Sequence, residues 1–111
     1  MKIPNGHQAI VDQNKLADYC LNPLHPRGRH KARVFERKLG LTALDFELLE
    51  RALLNAAESR EDATPGRSDE FGQRYVLDFE MDGPRGSGII RSSWIIRTGE
   101  ELPRLATCYV L

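Results

Sequence analysis

Residues 71–81, FGQRYVLDFEM, put Phe71, Tyr75, Leu77, Phe79 and Met81 on one face and Arg74, Asp78 and Glu80 on the other. A period of two with one apolar side defines a β-strand that must lay that side on another layer. DGPRGSG follows, with an Asp-Gly turn signal, then IIRSSWIIR as a second strand. TGEELP turns again and RLATCYVL closes the sequence as a third strand. Its buried face stays open: Ala106, Cys108 and Val110 suit a core as well as Leu105, Thr107 and Tyr109 do.

The layer that covers this meander comes first in the chain. QAIVDQ is a short strand or an extended lead-in. Asp12 or Asn14 caps a helix through Leu16, Tyr19, Cys20 and Leu21. NPLHPRG stops it. A second helix runs from about His30 to Leu39 on Ala32, Phe35 and Leu39, with Gly40 as its left-handed cap. A third begins at Thr42, with Asp45 completing an approximate capping box. Its expected buried stripe is Leu44, Leu48, Leu49, Leu53 and Ala56. The expected fold is α+β: about three N-terminal helices packed on a C-terminal antiparallel β-meander of three to four strands. The 111 residues fit a single domain, 1–111. Its expected parts are a helical half over about 12–58, a mobile polar connector over about 59–70 and a β half over about 71–111.

No apolar run approaches the roughly 18 residues of a membrane span, so no membrane partner is expected. MKIPNGHQ has no apolar signal core. Cys20 and Cys108 have neither metal nor redox spacing and read as free thiols of a reducing compartment. The expected location is cytoplasmic. No cofactor fingerprint is present: GPRGSG precedes a strand, and His7, His25 and His30 are not spaced as metal ligands.

Charge balances overall, at net zero, but not locally. Residues 23–38 hold Arg27, Arg29, Lys31, Arg33, Arg37 and Lys38 against Glu36, a net of +5. Residues 41–62 net −4. Either two solvated helices attract each other, or the basic segment meets an anion. Arg91 also stands out, because an arginine in a partly covered strand needs a ligand or a carboxylate such as Asp78 or Glu80.

IPN near the start, LNPLHPRGRHKARVFERKLG, FGQRYVLD, GPRGSGIIRSSWII and PRLATCYV together resemble a bacterial domain-of-unknown-function family. Its members occur alone and as C-terminal tips of polymorphic toxins. The resemblance covers residues 3 to 110. It implies a layout like the ribonuclease fold of barnase, EndoU, tRNA-cutting colicins and RelE-type toxins. The function expected is a toxin-like, metal-independent ribonuclease with an RNA substrate and a cognate inhibitor. The alternative is a non-catalytic module that binds a neighbour-encoded protein through residues 25–38.

Such a ribonuclease needs proton carriers and cations around the phosphate. The catalytic candidates are His30, Lys31, Arg91, Thr107 and Tyr109; the phosphate-binding candidates are His25, Arg27, Arg29 and Arg33. Each has a structural alternative: a turn residue for His25, a helix start for His30, an ion pair for Arg91, and sheet packing for Thr107 and Tyr109.

Overall fold

The computed structural model describes residues 1–111. Three helices precede a four-stranded antiparallel sheet in meander order β1-β2-β3-β4. Helix α1 spans 13–20, a single α-turn Gln13–Lys15 running into a π-turn Leu16–Cys20; α2 is Arg29–Leu39 and α3 is Phe46–Ser59. The strands are β1 Thr64–Asp69, β2 Gly72–Gly83, β3 Gly86–Arg97 and β4 Arg104–Val110.

Local chemistry sets the helix ends. Asp12 Oδ1 accepts from the Asn14 amide at 2.9 Å and starts α1. Gly40, at φ 74°, ends α2: its amide bonds Glu36 O and the Leu41 amide reaches Phe35 O. Thr42 and Asp45 form the expected capping box, with the Thr42 amide donating to Asp45 Oδ2 at 2.9 Å. Thr42→Ala should therefore cost about 1 kcal/mol in a urea melt, and Thr42→Asn much less.

The buried stripe of α3 is Leu49, Leu53, Ala56 and Ala57. Leu44 and Leu48, expected within it, are 93% and 42% exposed. At about 100° per residue Leu44 falls opposite the stripe's centre and Leu48 well to its side. Phe46 lies on the correct side and packs against the core.

The segment expected to be a mobile connector contains β1, an edge strand pairing Thr64 with Val76 and Asp69 with Gly72. Its sequence, TPGRSD, has no buried side chain to betray it. Backbone pairing holds it, with the Arg74–Asp69 ion pair at 3.0 Å and a Gln73 Nε2 bond to Gly66 O at 3.1 Å beside it, and Pro65 is tolerated at an edge with a register shift next to it. Phe71, expected on the core face, sits in the β1–β2 turn and is 63% exposed.

The helices cover one sheet face. Tyr75, Leu77, Phe79 and Met81 of β2 meet Ile90 and Trp94 of β3 there, and Leu105, Cys108 and Val110 of β4 join them. A bulge resolves the last strand: Thr107 pairs with Ser93, but Leu105 pairs with Trp94, leaving Ala106 extra. Leu105 and Cys108 can therefore both point inward while Thr107 and Tyr109 point away. The lead-in segment touches the outer edge of β4 at one bridge, Ile10 to Arg104, and then departs into α1. Beyond that point the edge of β4 is flanked by side chains of α1 and α2.

Candidate functional site

Lys31 lies on the first turn of α2, and its side chain passes the edge of β4. Its ammonium is 3.2 Å from Thr107 Oγ1 and 3.5 Å from the Tyr19 hydroxyl. The rings of Tyr19 and Tyr109 flank it at 5.3 and 5.5 Å. None of the protein's six ion pairs includes it. The half-buried ammonium is thus held by neutral hydroxyls and π-faces, with no carboxylate within ion-pair distance.

An open groove of about 550 Å³ adjoins it, lined by Lys31, Tyr19, Thr107, Ala106, Lys15 and Asn14, with Asp12 and Asp18 also on its walls. Lys15 is steadied by donating to Leu105 O at 3.2 Å. Tyr19 belongs to the π-turn, a local widening that recurs at functional sites. The following loop is pressed against that turn, since a Cβ on Gly28 would fall 2.3 Å from Tyr19 O. Only glycine fits so close an approach.

His25 supports this arrangement from behind. Its Nδ1 accepts from the amides of Arg27 and Gly28, both at 3.0 Å, and its ring stands edge-on to Tyr19 with centroids 4.8 Å apart. That leaves only Nε2 as a donor, in the neutral tautomer. His25 organises the loop, and with Nδ1 spent its expected phosphate-binding role rests on Nε2 alone. Arg29 Nη1 donates to Pro26 O at 2.8 Å within the same loop, and Arg27 is exposed on it. His30 and Arg33 are exposed on the outward side of α2 and do not line the groove.

On the outer sheet face, Arg91 has Asp78 on one side and Tyr109 on the other. Its Nε and Nη2 bond the two Asp78 oxygens at 2.9 and 2.8 Å, a bidentate fork. Arg91 therefore titrates above its ordinary range, through its hydrogen bonds and charge interaction with Asp78 and a smaller contribution from Tyr109. Asp78 titrates below the usual carboxylate range because Arg91 bonds its charged form. Of the alternatives Asp78 and Glu80, Asp78 is the partner. The pair's stabilisation is present above the ordinary Asp value of about 3.9 and is lost as pH falls through the lower folded value. Asp78→Asn should thus reduce the melting temperature slightly at pH 7, the effect being small because both side chains are over a third exposed. The gap from wild type should narrow progressively as melts are taken further below the ordinary Asp value.

Lys31, Thr107 and Tyr109 thus meet at one place, and Arg91 joins them through Tyr109 while engaged to Asp78. Tyr19 and Lys15 were missed. The available signal was their i, i+4 spacing, which puts both on one side of a helix. Beneath them the thiols of Cys20 and Cys108 are both buried. Cys20 is lowered to about 7, first by its hydrogen bond with Cys108 and also by the charges of Lys31 and Lys15, while that bond and burial raise Cys108.

A family model matches residues 2–111, nearly the whole chain; its description is domain of unknown function (DUF6883). The chain belongs to this family. No curated protein matches it. Among solved structures, the DUF6883 chain is similar in fold to a chain of the contact-dependent growth inhibition toxin–immunity protein complex from Klebsiella pneumoniae 342. The TM-score is 0.72 at 15% identity, over 92% of this chain and 99% of that one. The Lys31 groove of this DUF6883 domain is described by its own residues and does not depend on that likeness.

Proposed function

We propose that this DUF6883 domain is a toxin-like ribonuclease that cleaves RNA without a metal and is held in check by a cognate inhibitor. The observation that carries the reading is the Lys31 ammonium, in no ion pair and beside the Tyr19 and Thr107 hydroxyls, in an open groove whose walls also carry Lys15, Asp12 and Asp18. In the reaction the ribose 2′-oxygen attacks phosphorus, its proton leaves to a base, and the 5′-oxygen departs with a proton, giving a cyclic phosphate. Lys31 neutralises the non-bridging oxygens as charge builds, and Thr107 adds a hydroxyl donor beside them. The Tyr19 hydroxyl, next to Lys31 on the groove wall, is placed to exchange a proton with the sugar or leaving oxygen. Arg91, oriented by Asp78, supports Tyr109 from the sheet. The fold shared with a chain of a toxin–immunity complex is consistent with a toxin setting and a cognate partner.

A second reading, a non-catalytic partner-binding module, draws support from the neutralisation of Arg91 by Asp78. Purified protein incubated with total tRNA in EDTA separates the two. Fragments ending in 2′,3′-cyclic phosphate, absent when Tyr19→Phe and Lys31→Ala are used, support the ribonuclease; intact RNA at micromolar protein removes it.

A further inference from the structure

Every ion pair of the protein lies outside α2. No carboxylate of the acidic segment 41–62 forms an ion pair with the basic helix. Which α2 cations remain unmatched follows from helix geometry. Ala32, Phe35 and Leu39 are buried and mark the core side. At about 100° per residue, His30, Arg33 and Arg37 fall on the opposite side, in one i, i+3, i+7 ridge. At 1.5 Å per residue that ridge is about 10 Å long. All three side chains are exposed. Lys31 sits on the flank between ridge and core, so the ridge begins beside the mouth of the groove. Arg29 and Glu36 lie on the other flank, Arg29 bonded to Pro26 O, and Lys38 donates to Leu111 O.

We infer that the His30–Arg33–Arg37 ridge is a backbone track for RNA, along which a strand of several nucleotides continues out of the Lys31 groove; this rests on the ribonuclease reading. The guanidinium fork matches phosphate oxygens, and a row of them reads charge rather than base identity. The chain is neutral overall, with pI about 6.8, so affinity for a polyanion must come from a focused patch. A protein partner is the less suited occupant. The core of a protein interface is depleted of charge and enriched in aromatic residues, and this ridge is a row of exposed cations with no exposed apolar residue between them.

The test compares Arg33→Gln/Arg37→Gln with wild type on a dinucleotide, on a long mixed-sequence RNA, and on the uncleavable 2′-deoxy analogue of that strand. Two lost phosphate contacts should weaken binding of the uncleavable strand roughly twentyfold at about 0.1 M salt and make the plot of log affinity against log salt shallower by about 1.4. Cleavage of the long RNA should fall in parallel, with dinucleotide cleavage unchanged. Equal losses on both substrates, or an unchanged salt slope, overturn the track and leave the ribonuclease reading standing. If no RNA is cut but the uncleavable strand is bound and then lost in the variant, the track stands and the ribonuclease reading falls. If the variant binds RNA like wild type but loses binding to polyglutamate, the ridge is an interface for an acidic protein and the proposal is wrong.

Discussion

Lys31→Ala should reduce single-turnover RNA cleavage by about 10²–10³-fold, the usual effect of deleting one preorganised donor to a developing oxyanion. Its effect on stability should be small, within about 0.5 kcal/mol, because no carboxylate is orphaned and the Tyr19 and Thr107 hydroxyls face an open groove. That separation of activity from stability distinguishes an anion site from a structural lysine. Lys31→Arg keeps the charge but spreads it over a wider plane, and the two flanking rings leave a slot suited to a compact ammonium. It should therefore recover only part of the rate. Thr107→Ala, which removes a neutral donor at 3.2 Å from Lys31, should cost less than Lys31→Ala. Wild-type cleavage by Lys31→Ala, with an unchanged melt, would place the chemistry elsewhere on the molecule.

The sequence announced the parts of this site that follow from periodicity and hid those that depend on local irregularity. The alternation of β2 and β3 put Arg91 on a definite face, and its carboxylate partner came from the facing register position. Thr107 and Tyr109 were legible as an alternating pair, but their outward direction was not. It depends on one extra residue, Ala106, and a bulge leaves no mark in a period of two. His30 was attractive by its chemistry alone. Residues i and i+1 on a helix do not share a side, so His30 and Lys31 could never both have faced one groove. Tyr19 was read as an apolar helix position, which half describes it: its ring packs against the core and its hydroxyl reaches Lys31. Strand β1 was hidden for a different reason. A strand held at a sheet edge by its backbone needs no apolar pattern, and TPGRSD has none.

Trp94→Ala should destabilise the fold by about 3–5 kcal/mol, a large share of the roughly 5–15 kcal/mol that holds a domain together. Trp94 is fully buried on the core face of β3, with Tyr75 of β2 and Leu105 of β4 as its register neighbours. Its loss opens a cavity at the centre of the sheet, between strands that cannot close over it. The indole also has a polar constraint. Nε1 donates to Ser92 Oγ at 2.9 Å, and Ser92 Oγ in turn donates to Leu77 O at 2.7 Å. Ser92 is the one buried polar residue of the core face because both of its hydrogen-bonding directions are used. Ser92→Ala strands the indole N–H and should cost about 1–3 kcal/mol. Trp94→Phe/Ser92→Ala removes donor and acceptor together, so in urea melts its cost should be less than the sum of the two single changes. Strict additivity would mean that the hydrogen bond contributes nothing and that packing alone fixes Trp94. Below about 1 kcal/mol for Trp94→Ala, the sheet centre would be able to collapse, and the rigid platform that carries Thr107, Tyr109 and Arg91 on its other face would lose its physical basis.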